Sequence, residues 1–172
     1  MGVELLLAYK GKMARRVERS VTIYRAVEAV FAFLSDFRNL PQWQSKVVGV
    51  SRTPQGPTAG VGATYRLVVR RRSLLFLLVR RFETTYEITE YELNRKVGFE
   101  GGLGPAAIRL KGQLIFGPVE GATTIVAVLE LNGPEGVLLN KLALPVYARI
   151  VERDLQTDLA RLKYLLEVVW AP

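Results

Sequence analysis

The chain contains no histidine and no cysteine. Imidazole general bases, thiolate nucleophiles, disulfides and Cys/His metal sites are therefore excluded. Acid–base work would fall to Asp, Glu, Tyr or Lys. Glu100 and Arg109 could act on a ketone if they faced an interior, but strand alternation turns both outward. Glu83, Glu87 and Arg66 read as wet-face residues, and no pair has a spacing that demands acid–base chemistry. No catalytic residue is assigned, and no metal or other cofactor is implied. The sequence does offer hydroxyl-bearing side chains at inward positions: Tyr65, Thr84 and Tyr86 on strands and Tyr147 on a helix. A few such groups are what orients a ligand in an apolar pocket. Alternation adds Leu67, Phe99 and Leu114, the helical stripe adds Val151, and Trp43 would close one end. These are the candidate ligand-binding residues, with plain core packing the competing reading for most of them. The same inward sides carry Val69, Phe82, Val97, Leu110, Ile125, Ala127 and Leu155. One β-bulge would reverse the facing of every residue beyond it.

The elements that must position these residues are dominated by the C-terminal stretch from Gly136 to Val169. Val151, Leu155, Leu159, Leu162, Leu166 and Val169 recur at steps of three or four, one side of a 3.6-residue helix. Lys163 and Glu167 can pair on its wet side. A helix from Pro145 to Val169 would be roughly 37 Å long, and it needs a long partner surface. The rest of the chain supplies strands at 16–25, 47–52, 63–72, 81–90, 95–100, 108–116 and 123–131, each alternating or rich in β-branched residues. A short helix over Ala26–Ser35 and one or two further turns over Asp36–Gln44, ended or bent near Pro41, follow the first strand. Gly112, inside a strand, marks strong bending or a close approach of the helix. The expected fold is α+β: a curved antiparallel sheet wrapped around one long C-terminal helix. Side chains of such a sheet often fail to fill its hollow, and the remaining volume is a pocket.

With 172 residues, 49% of them hydrophobic, the chain can bury one substantial core. We place a single domain over residues 15–170 and treat residues 1–14 as an N-terminal extension, expected to be flexible. The opening MGVELLLAYKGKMARR has too short an apolar run for a signal peptide, and no run approaches a membrane span. A cytoplasmic location is expected. The net charge of +8 fits a solvated basic surface or attraction to an anionic partner. Its densest cluster, Arg70–Arg72 with Arg80 and Arg81, flanks the contiguous apolar run Leu74–Val79. That run is either a turn followed by a buried strand start, or an exposed tip meeting an acidic membrane surface, a second copy in a homodimer or the opening of a cavity. Nucleic acid is not the expected partner. Gly101-Gly-Leu-Gly104 imitates a GxxG clamp but lacks its helix–loop–helix setting.

The order of elements resembles the helix-grip fold of the START/Bet v 1-like (SRPBCC) superfamily, and more narrowly its polyketide cyclase/dehydrase and lipid-transport family. The resemblance rests on AVEAVFAFLSDFRNLPQWQ at 26–44, GVGATY at 60–65, FETTYEITEYELNRKVGFE at 82–100 and LARLKYLLE at 159–167. It implies a hydrophobic cavity between sheet and helix that takes a lipid, a quinone or a polyketide-like molecule. Binding without turnover is the favoured expectation. The alternatives are a metal-free cyclase/dehydratase acting on an aromatic or polyketide substrate, and a membrane-associated carrier of a lipid or quinone.

Overall fold

The computed structural model describes residues 14–72, 79–102, 108–133 and 138–170. The expectations for the N-terminal extension up to residue 13, for residues 74–78 of the apolar run Leu74–Val79 and for residues 103–104 of the GxxG-like stretch lie outside the described residues.

Seven strands form one antiparallel sheet in the order β1-β7-β6-β5-β4-β3-β2. They are β1 (Ala14–Ile23), β2 (Val47–Arg52), β3 (Thr64–Arg72), β4 (Val79–Glu92), β5 (Lys96–Gly102), β6 (Arg109–Val119) and β7 (Ala122–Asn132). Strands β2 to β7 pair with their sequence neighbours, and β1 returns to pair with β7. Two short helices, α1 (Val27–Ser35) and α2 (Leu40–Trp43), are separated by a 3-10 turn at Phe37–Asn39. The long helix α3 (Leu138–Tyr164) ends in a π-helical turn at Leu165–Val169. This is the expected helix-grip α+β arrangement.

Alternation explains the strands. In β6, Leu110, Leu114 and Phe116 are buried with Gly112 between them, while Arg109 and Ile115 are exposed. The β4–β5 hairpin turns at Asn94, whose φ of 57° is one that Asn tolerates better than most residues. The β6–β7 hairpin turns at Gly121, φ 68°.

Several boundaries differ from expectation for identifiable reasons. Pro41 opens α2 rather than ending it, because the first turn of a helix needs no proline N–H. Pro145 lies inside α3, which begins seven residues earlier at Leu138. Apolar stripe and helix end also part company. Leu155, Leu159, Leu162 and Leu166 are buried, but Val169 is 60% exposed. The π turn, closed by Trp170 N–H donating to Leu165 O at 3.0 Å, shifts the period and rotates Val169 off the apolar face.

The C-terminal turn is tied to the β1–α1 junction. Arg25 Nε donates to Leu166 O at 2.9 Å, and its Nη2 donates to Trp170 O at 3.1 Å. Lys163 pairs with Glu167 at 2.8 Å and donates to Thr22 O at 2.6 Å. Among the described residues no helix is long and apolar enough to cross a membrane.

Candidate functional site

A cavity of about 140 Å³ lies between α3 and the concave face of the sheet, closed on one side by the α1–α2 region. From the sheet, Val69, Phe82, Thr84, Tyr86, Phe99 and Leu110 line it, and Leu114, Ala127 and Leu129 continue the wall. Phe37, Leu40 and Trp43 form the opposite rim, with Val151 and Leu155 of α3 above.

The space exists because two aromatic rings lie down on the sheet instead of standing up from it. Tyr86 pairs across strands with Gly101, and Phe99 with Gly112. A Cβ on Gly101 would fall 2.0 Å from Tyr86 Cδ1, and one on Gly112 would fall 2.1 Å from Phe99 Cζ. Each ring therefore occupies the place of its neighbour's missing side chain. The rings stack on each other, centroids 5.5 Å apart and planes 20° from parallel. Phe37 meets Phe99 edge-on at 5.3 Å. Strong bending or a close approach of the helix was expected at Gly112; the close approach there is made by Phe99.

One end of the cavity is polar. Lys46, just before β2, forms an ion pair with Asp154 of α3, and both line the cavity. Asp158, one helical turn on, also lines it and is only 8% exposed. The Ser45 backbone N–H donates to Asp158 Oδ1 at 3.0 Å. Burial pushes the Asp158 carboxyl above the usual carboxylate range, against the opposing pull of the Ser45 hydrogen bonds. Burial is also the reason the Tyr86 phenol is pushed up to about 12. Among the described residues no group of acidic side chains could hold a metal ion.

Trp43, Thr84, Tyr86, Phe99, Leu114 and Val151 all line this cavity. Thr84 already donates its hydroxyl hydrogen to Gly102 O at 2.8 Å, which leaves it only lone pairs to offer. Three further candidates lie elsewhere. Tyr65 is buried against Phe37, ring centroids 5.3 Å apart, and burial followed by nearby Asp36 raises its pKa. Leu67 is buried outside the lining, and Tyr147 is half-buried against the core outside it. The bulge in β4 falls between Ile88 and Glu90, beyond Tyr86, so the facing of Phe82, Thr84 and Tyr86 is preserved. Past it the inward position passes to Tyr91, whose ring meets Phe31 at 5.3 Å. Glu100 and Arg109 are exposed, as alternation requires.

Sequence reasoning missed the polar end. Asp158 stands seven residues after Val151 and four before Leu162, inside the apolar arc of α3. A carboxylate at such a position is the signal that was available. Asp154 and Lys46 carried no comparable mark, because their pairing depends on how β2 meets α3.

Fold and cavity together define a helix-grip protein with an interior pocket. Residues 14–167 match the profile of the family described as polyketide cyclase / dehydrase and lipid transport, and the chain belongs to that family. The Zhui aromatase/cyclase from Streptomyces sp. R1128 is similar in structure, with TM-score 0.67 and 13% identity over 92% of this chain and 99% of that one. So is DR_A0006 from Deinococcus radiodurans, with TM-score 0.61 and 20% identity over 90% and 98% of the two chains. Ara h 8.0201 aligns with TM-score 0.64 and 11% identity over 89% and 98%. At these identities the likeness is one of fold. A search of curated proteins gave no match.

Proposed function

We propose that the protein binds a small apolar molecule in the cavity beneath α3, without turning it over. The observation that carries this reading is the pair of rings laid over Gly101 and Gly112. A chain that only needed a core would fill this volume, since interiors are close-packed and empty space costs stability. The volume, about 140 Å³, is close to that of an engineered apolar cavity that holds benzene. It suits one aromatic ring, or the ring end of a larger quinone or polyketide-like molecule. The family description, which includes lipid transport, supports the same reading.

Native mass spectrometry of protein purified without detergent, followed by denaturing extraction, is the test. A stoichiometric apolar molecule is expected, recovered chemically unchanged after prolonged incubation with the protein. Protein that arrives empty and takes up no quinone, fatty acid or single-ring aromatic would overturn the proposal.

A second reading, delivery at an acidic membrane surface, is favoured by the register of β3 and β4. It sets Arg70 opposite Arg81. Like charges directly opposite each other destabilise a strand pair, and an anionic surface would offset that cost. The adjacent pair, Val69 and Phe82, lines the cavity. Co-sedimentation with phosphatidylserine vesicles, lost in R70E/R81E and at high salt, is expected. Equal binding to neutral phosphatidylcholine vesicles would sink this reading. The absence of cysteine suits a reducing compartment, and we place the protein in the cytoplasm.

A further inference from the structure

We infer that Asp158 selects the ligand: the cavity is built for a neutral aromatic ring carrying a hydroxyl group, a phenol-type molecule, and against a carboxylate. This rests on the ligand-binding reading above and adds the chemistry of the recognised end.

Three charged side chains line the polar end: Lys46, Asp154 and Asp158. The first two satisfy each other as an ion pair. Among the described residues Asp158 has no such cation of its own, since Lys46 acts on it only as the last of several influences, and its hydrogen-bonding partner is Ser45. An ionised carboxylate offers about four acceptor sites, so Ser45 leaves capacity for a donor arriving from the cavity. Apart from Gln44 and the hydroxyls of Thr84 and Tyr86 the remaining walls are apolar and aromatic, with Tyr86 and Phe99 stacked beneath.

Each ligand class meets this arrangement differently. A carboxylate-ended molecule would bring a third negative charge to a site holding two carboxylates and one ammonium, and repulsion excludes it. An ammonium-ended molecule would lose its hydration in an apolar cavity, with one partly occupied carboxylate in return. A hydroxyl needs no charge to be buried and donates one charge-assisted hydrogen bond. The cavity volume, about 140 Å³, limits the body of the ligand to roughly one ring. A hydrogen bond to a charged partner corresponds to about tenfold to a hundredfold in affinity.

The test uses toluene, phenol, anisole and benzoate as probes, titrated by NMR chemical-shift change into the full chain and into Asp158→Asn. In the wild type, phenol is expected to bind about tenfold to a hundredfold tighter than toluene or anisole, with benzoate weakest. Asp158→Asn loses the charge, keeps a carbonyl acceptor and gains an amide donor that can serve phenol and anisole alike, so the preference for phenol over anisole should shrink towards parity. That loss of preference is a readout that a merely structural Asp158 would not give. If toluene binds as tightly as phenol to the wild type, or if the variant keeps the phenol preference, the inference is wrong while the cavity reading stands. If none of the probes binds, the cavity reading fails and the inference with it.

Discussion

Replacing Gly112 with Ala tests whether the cavity exists because Phe99 lies flat. The added Cβ would stand 2.1 Å from Phe99 Cζ and 2.5 and 2.6 Å from its two Cε atoms. Real Cβ atoms do not come so close, so the ring must retreat by more than an ångström. Tyr86 is stacked on it and Phe37 meets its edge, which leaves the cavity as its way out. Two effects oppose each other. Ala in place of a strand Gly restricts the unfolded chain, worth about 0.5–1 kcal/mol in favour of folding. Forcing a ring out of a packed position costs about 1–3 kcal/mol. Gly112 is not among the glycines with positive φ, so no backbone strain enters. The second effect is larger, and the expected outcome is a net loss of about 1–2 kcal/mol, together with weaker binding of a single-ring probe. Urea unfolding of the wild type, Gly112→Ala, Phe99→Leu and the double variant completes a cycle. In the Phe99→Leu background, where no ring covers residue 112, Gly112→Ala should be neutral or stabilising. An equal cost in both backgrounds would refute the ring as the cause, and with it this account of why the cavity is open.

Further expectations can be measured alongside. Asp158 has its native pKa raised by burial above the ordinary 3.8, so the folded state holds this proton more tightly than the unfolded state and its ionised form is disfavoured by folding. Asp158→Asn, which mimics the neutral acid, should therefore be at least as stable as the wild type at neutral pH. Its advantage should close as pH falls through the native pKa towards 3.8, and urea midpoints across that range would contradict the argument if the gap widened instead. Asp36 has the opposite sign. The Arg38 side-chain hydrogen bond holds its carboxyl below the usual range, so its contribution is present above the unfolded pKa and lost as pH falls through the native one. Asp36→Ala also removes the acceptor for the Arg38 backbone N–H, and should cost about 1 kcal/mol at neutral pH, a difference that thermal melts at neutral and acid pH should show shrinking in acid. Arg25→Met takes the guanidinium away from the carbonyls of Leu166 and Trp170. Hydrogen exchange should quicken at 165–170 and stay unchanged in the central strands. Trp43→Ala empties a site that is 2% exposed and should cost about 3–5 kcal/mol in guanidinium unfolding.

Strand positions were legible because a half-buried antiparallel strand writes its burial into every second residue. Expected and observed ends agree to within a few residues throughout, and β2 coincides at Val47–Arg52. What alternation cannot supply is position along the strand. Tyr65 and Tyr86 stand directly opposite each other on β3 and β4, yet Tyr86 lines the cavity while Tyr65 is packed against Phe37. The difference is made by the α1–α2 region folding over one end of the sheet, a long-range contact absent from the local pattern. Helical periodicity failed at two points for different physical reasons. Val169 left the stripe because a π turn changed the period. Asp158 stayed within the stripe and was overlooked, because sorting a helix by polarity sends every charge to the wet face. A buried carboxylate is costly, so one placed inside an apolar arc points to a polar contact that the core itself does not need. Flat rings over glycines make the room, and that carboxylate gives the room a chemical direction. On the ligand-binding proposal, those two features are the argument against loose packing, which would show neither the paired glycines nor a buried acid with acceptor capacity to spare.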